Sequence, residues 1–160
     1  MPVRRNIGIF FFIIFLFFTI SLSALDGVFI GLEEQINANT REGLAFGQGL
    51  LMGLDINHYF AIGLKAAFSY DMEAISVLEA SALARLYLPL KNTLPFVQAD
   101  FGAAIIFEEN NSHPSFLGGF TVGLRFYPYS LFYIEPSFRV GYPFFWGGAL
   151  GIGIHFDLGK

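Results

Sequence analysis

Ten ionisable residues stand within the apolar stretches of a chain in which only 14% of residues are charged. Glu33, Asp55, Glu79, Asp100, Glu135 and Asp157 are the acids; Lys65, Arg85, Arg125 and Arg139 are the bases. Apolar or small residues flank all of them except Glu33, which Glu34 follows, so they can act together only after folding. Carboxylates and guanidinium groups held in one water-poor space pair and hydrogen-bond. The same groups around an open passage make a polar path for a small solute, lined here by Arg85, Arg125, Arg139 and Glu135. The residues by themselves leave both arrangements open.

Other chemistry finds little support. The chain has no cysteine, which excludes disulfides, thiolate metal sites and a thiol nucleophile. His58, His113 and His155 lie on different segments without ligand-like spacing. Gly47-Gln48-Gly49-Leu50-Leu51-Met52-Gly53 fails the dinucleotide pattern and opens no helix. No serine sits in a nucleophile elbow, and no Ser/His/Asp set is apparent. The expectation is a non-enzyme with no catalytic residue, no cofactor and no metal.

The elements that position the charged residues announce themselves by alternation. From Trp146 to Leu158, Trp146, Leu150, Ile152, Ile154, Phe156 and Leu158 share one parity, broken only by Gly148. Gly147, Ala149, Gly151, Gly153, His155 and Asp157 share the other. Side chains of a strand point to opposite faces with a period of two, so one face is large and apolar and the other small or polar. Leu44, Phe46, Leu50, Met52 and Leu54 likewise oppose Gly43, Ala45, Gly47, Gly49, Gly53 and Asp55. Phe60, Ile62, Leu64 and Phe68 oppose Ala61, Gly63, Lys65, Ala67 and Ser69. Gln48 on the apolar parity, and Leu51, Leu83 and Ile106 on the polar one, are exceptions.

Period-two segments separated by turn residues predict eight strands, over 27–37, 42–56, 58–71, 76–88, 94–108, 115–127, 131–142 and 145–158. The breaks carry Asn, Asp, Gly and Pro. Glu108-Glu109-Asn110-Asn111-Ser112-His113-Pro114, the most polar stretch, is expected to be a loop. Arg85-Leu86-Tyr87-Leu88-Pro89 echoes Arg125-Phe126-Tyr127-Pro128 and places two tyrosines at one rim, as strand-end markers or as part of an interfacial aromatic girdle.

Composition decides which face meets what. The chain is 54% hydrophobic, 18% aromatic and only 14% charged, with 21 phenylalanines and 18 glycines among 160 residues. A soluble sheet hides its apolar face and shows charge, yet the second face here is mostly glycine and alanine. A closed barrel in a bilayer fits instead, apolar outward with a crowded lumen. A base on the lipid face costs ~2–4 kcal/mol at the midplane, which forces the ten ionisable residues inward. A secreted lipocalin-like calyx, also eight-stranded, would need a well-charged exterior.

Arg4 and Arg5, then an apolar run from Ile7 to Phe18, then Ser21, Leu22, Ser23 and Ala24 read as a secretory signal peptide over 1–24, cleaved after Ser23 or Ala24. The run is shorter than the ~20 residues of a membrane-spanning helix. Without Arg4 and Arg5, seven bases face thirteen acids, a formal charge of −6 that speaks against nucleic acid as a partner.

With these segments in place, residues 25–160 resemble the small eight-stranded outer-membrane barrels of the OmpA and OmpW types. The most specific match is Gly153-Ile154-His155-Phe156-Asp157-Leu158, which is similar to the final-strand signal read by the barrel-assembly machinery. Its carriers are Gly153, Phe156 and Leu158; the departure is that Gly159 and Lys160 follow, where many members end on phenylalanine. The resemblance implies an all-β, antiparallel up-and-down barrel in the bacterial outer membrane, exported through its signal and partnered by the lipid bilayer. No peptidoglycan-binding domain is expected after it. A structural envelope role with a filled lumen is the leading expectation, and an OmpW-like channel for a small, hydrophobic solute the alternative. A surface adhesin is disfavoured by short external connections.

Overall fold

The computed structural model describes residues 25–39, 43–71, 75–90, 93–108 and 111–159. The segment 1–24 read as a signal peptide lies outside them. Eight strands follow in order: β1 Gly27–Asn39, β2 Gly43–Asn57, β3 Phe60–Asp71, β4 Ile75–Tyr87, β5 Thr93–Glu108, β6 Asn111–Phe126, β7 Phe132–Tyr142 and β8 Trp146–Asp157. Each pairs antiparallel with its sequence neighbours, and β1 pairs with β8, closing a barrel. Closure removes the unpaired edges that an open sheet presents, so every ladder group has a neighbouring strand.

The local chemistry of the turns explains the tight connections. Asn57 Oδ1 accepts hydrogen bonds from the Tyr59 and Phe60 N–H groups (2.9 and 3.0 Å), an Asx turn between β2 and β3. Asp71 Oδ1 accepts the Ile75 N–H at 2.9 Å across the next connection. Gly43 opens β2 at a φ of 85°, a left-handed conformation that glycine adopts without strain. No connection exceeds five residues.

One sequence expectation fails here. The polar stretch 108–114 is not a loop: Glu108 ends β5, Asn111 starts β6, and the register Glu108↔Asn111, Ser112↔Phe107, His113↔Ile106, Pro114↔Ile105 runs through it. Polarity marked the height of these residues at the rim, not a break in pairing. A hairpin needs only a two-residue connection.

The parity of the strands is uniform and its sense is unambiguous. Leu32, Leu64, Phe101, Phe120, Leu150 and Ile152 are exposed on the outer wall, whereas Glu33, Glu79, Arg85, Arg125 and Glu135 are buried. A calyx would show the reverse, so the lipocalin reading is ruled out. This is the arrangement of a transmembrane barrel.

The lumen holds two apolar layers. At the rim that carries the start of β1 and the end of β8, Phe29, Leu51, Ala61, Leu83, Tyr87, Phe96 and Tyr133 pack together. Toward the opposite rim, Ala45, Val77, Ala104, Leu117 and Phe144 do the same, with Ile106 against them. Leu51, Leu83 and Ile106, the exceptions to the alternation, thus belong to lumen packing. Inward glycines make room for these rings: a Cβ added at Gly53 would run into Phe29, and at Gly123 into Phe96. Tyr133 occupies the space a side chain would need at Gly31 and Gly153.

Candidate functional site: the barrel lumen

Three polar clusters cross the lumen. In the first, Arg85 on β4 donates to Glu135 on β7 from Nη1 (2.8 Å) and to Gln98 on β5 from Nε and Nη2 (2.9 and 2.6 Å). Arg125 on β6 donates from Nε to the same Glu135 carboxylate at 2.7 Å. Gln98 passes the chain on to Asp100 (2.8 Å), whose other oxygen accepts from Thr121 at 3.2 Å. Both guanidinium groups lie over aromatic faces. Arg85 Cζ is 3.9 Å from the centroid of Phe96, and Arg125 Cζ is 4.1 Å from Tyr133 and 4.5 Å from Phe29. Burying two cations is costly unless they are paired, and one shared carboxylate with these three rings offsets part of that cost.

The second cluster joins Lys65 to Glu33 at 2.6 Å, and Gln35, Asn37 and Ser69 continue it by hydrogen bonds of 3.0 to 3.2 Å. The third is Arg139 with Glu79 at 2.8 Å. At the terminal rim Asp55 pairs with His155 at 2.7 Å. Nine of the ten ionisable residues named from the sequence therefore line the lumen or its rim in pairs or bridges, but as separate clusters rather than one continuous network. Asp157 lines the terminal-rim cavity as well, exposed at the end of β8, where its Oδ1 accepts the Gly159 N–H.

The sequence reading missed the neutral members. Gln35, Asn37, Ser69, Gln98 and Thr121 are all buried and all hydrogen-bonded within the clusters. They share the inward parity of the charged residues, which was the signal available for finding them. The tyrosines at the shared rim also need correcting. Tyr87 is buried in the lumen beside Arg85 and Arg125, and Tyr127 packs on Tyr133 and His155, so neither belongs to an outward girdle. Tyr87 follows Arg85 by two residues, and period two sends both to the same face.

Cavities open at both rims, with a small void between them. A space of about 420 Å³ at the terminal rim is lined by Asp26, Asp55, Asn57, His58, Tyr87 and Tyr127, among others. One of about 210 Å³ at the opposite rim is floored by Val77, Ile106 and Phe144. A void between Gln35, Lys65, Thr121 and Arg139 measures about 10 Å³, at the lower limit for a single water. Among the described residues no group of three or more His, Cys, Asp or Glu side chains is placed to hold a metal ion.

This geometry has solved counterparts. The N-terminal β-barrel domain of Pseudomonas aeruginosa OprF superposes with a TM-score of 0.63 at 16% identity, covering 82% of this chain and 98% of that one. The fold is that of the small eight-stranded outer-membrane barrels. Neisserial surface protein A gives a TM-score of 0.59 at 10% identity, over 82% of this chain and 96% of its own. OprG, the P. aeruginosa outer membrane protein, gives 0.59 at 10% identity, over 84% and 97%. No protein-family model and no curated protein matches the sequence. Identities this low establish a shared architecture, and the lumen chemistry is read from this chain alone.

The residues of the expected assembly signal fall on the terminal rim of β8. Gly153 faces Gly31 across the β1–β8 seam with the Tyr133 ring over both. Phe156 and Leu158 are exposed on the outer wall, and the Leu158 N–H donates to the Asp26 carbonyl at 2.9 Å.

Proposed function

We propose that this protein is a non-enzymatic integral barrel of the bacterial outer membrane with a structural role in the envelope. Residues 1–24 serve as its export signal, and the barrel-assembly machinery reads Gly153, Phe156 and Leu158. The observation that carries the reading is the lumen. Two apolar layers and three polar clusters occupy it between the rim cavities, and the void among Gln35, Lys65, Thr121 and Arg139 measures about 10 Å³, which supports a side-chain-filled interior. An exposed apolar outer wall supports the bilayer as its surroundings.

Planar-bilayer conductance and liposome swelling test this directly. The purified protein is expected to give neither channel events nor solute-dependent swelling; sustained conductance would sink the closed-lumen reading.

A second reading, passage of a small apolar solute, is favoured by one feature. The β6–β7 ladder lapses between Gly123↔Ser137 and Phe126↔Ile134, beside Pro136, which has no N–H to donate. Arg125 and Glu135 sit at the same place. Uptake of an apolar solute into vesicles that is lost on Arg125→Ala would select this reading over the first.

A further inference from the structure

Among the described residues, the outer wall carries a polar pair at mid-height, away from the rim contact of Ser115 with Tyr142. Glu34 and Gln48 are cross-strand partners on β1 and β2, both exposed, with Gln48 Nε2 donating to Glu34 Oε1 at 3.1 Å. Glu34 is ionisable and shares the outward parity with Ile30, Leu32 and Ile36, while Gln48 lies between Phe46 and Leu50. Five residues separate Glu34 from the end of β1 and seven from its start. At ~3.3 Å per residue and a strand tilt of ~40°, these are roughly 13 and 18 Å of height, which puts the pair well inside an apolar band ~25 Å tall.

A carboxyl group at that depth is costly and finds no water. The internal bond leaves one Gln48 N–H, the Gln48 carbonyl and the second Glu34 oxygen to be satisfied. The set is self-complementary. A two-fold axis along the membrane normal, passing beside the pair, sets Glu34 of one copy against Gln48 of another, and the free amide N–H on each side meets the free carboxyl oxygen opposite.

The surroundings admit a close approach. On β8, Leu150 is the cross-strand partner of Glu34 and Gly148 that of Ile36. A Cβ at Gly148 would meet nothing closer than a backbone oxygen at 3.9 Å, so packing within the chain does not demand glycine there. An outward glycine in a strand leaves room for another backbone to come near.

From these observations we infer that the β8–β1–β2 face is a homodimer interface within the membrane, with Glu34 and Gln48 hydrogen-bonded across it to their counterparts. The inference rests on the proposed bilayer setting, since water would satisfy the pair in an aqueous protein.

The chain lacks cysteine, so single introduced thiols give a clean readout. Leu50→Cys, beside the pair, and Val97→Cys, on the opposite wall, would be reconstituted into dilute lipid vesicles and treated with a short bis-maleimide. Leu50→Cys is expected to yield a dimer and Val97→Cys to stay monomeric. Adding Glu34→Leu and Gln48→Leu to the Leu50→Cys background should weaken dimerisation about tenfold, the worth of two interhelix-like polar bonds in lipid. The heat-modifiable fold should survive, because both positions already belong to the apolar face. Undiminished cross-linking in the triple variant overturns the inference, as does monomer alone from Leu50→Cys. A cross-link to a different protein in cells, absent with the purified chain, also overturns it and assigns the face to that protein. Release of the parent protein into aqueous buffer would instead defeat the bilayer setting itself.

Discussion

At the scale of single residues, Glu135 is the pivot of the lumen. Its two oxygens hold Arg85 and Arg125, and all three groups are nearly inaccessible. Glu135→Gln removes the shared counterion and leaves two buried cations facing each other. A loss of about 3–5 kcal/mol is expected, read as a lower urea midpoint for the vesicle-reconstituted barrel. Replacing the trio together by Met, Met and Leu should recover most of that loss, because no charge is then stranded. A second residue-scale prediction concerns space rather than charge. Gly53→Ala sets a methyl against the Phe29 ring and is expected to cost about 1–3 kcal/mol in the same measurement. The cost should shrink in a Phe29→Leu background, since residues in contact are not additive.

At the scale of elements, β8 has two tasks on its two faces. Inward, Gly153 leaves room for the Tyr133 ring; outward, Phe156 meets the surroundings near the terminal rim. If Phe156 serves recognition during insertion, Phe156→Ala should lower the amount assembled in cells severalfold while refolding into synthetic vesicles stays near the parent level. Equal losses in both assays would assign the residue to stability alone. The strands themselves were legible as elements because period two persists through each. Their ends were not. Residues 111–114 carry turn chemistry, yet they pair with 105–108, since the ladder continues above the height where the wall must be apolar. Tyr87 and Tyr127 were placed at the right rim, but which way a ring turns there depends on Arg85, Arg125 and His155 across the lumen.

At the scale of the whole molecule, the barrel is inverted relative to a soluble protein: apolar residues outside, charge and hydrogen bonds inside. Hydrophobic burial therefore comes largely from the bilayer, while the lumen contributes packing and paired charges. The protein is expected to need detergent for extraction and to migrate differently on gels before and after boiling, as a closed ladder opens only when every strand is released. Recovery in the soluble fraction without detergent would contradict the bilayer setting. Its short connections give it little to present beyond the membrane, so binding to cell-surface ligands is expected to be weak.

Alternation, composition and the inward parity of the charges were enough, from the sequence alone, to specify eight strands, their closure and the sense of the barrel. Those properties follow from rules local to a strand: side chains alternate, and lipid rejects charge. Which acid meets which base was not contained in them. Arg85 and Glu135 are fifty residues apart, and Arg139 reaches Glu79 across the lumen. Such pairings depend on barrel diameter, strand stagger and the room that glycines leave for rings. Period two sends Glu33 inward and its neighbour Glu34 outward, but only the closed wall shows that Glu33 meets Lys65 and Glu34 meets Gln48.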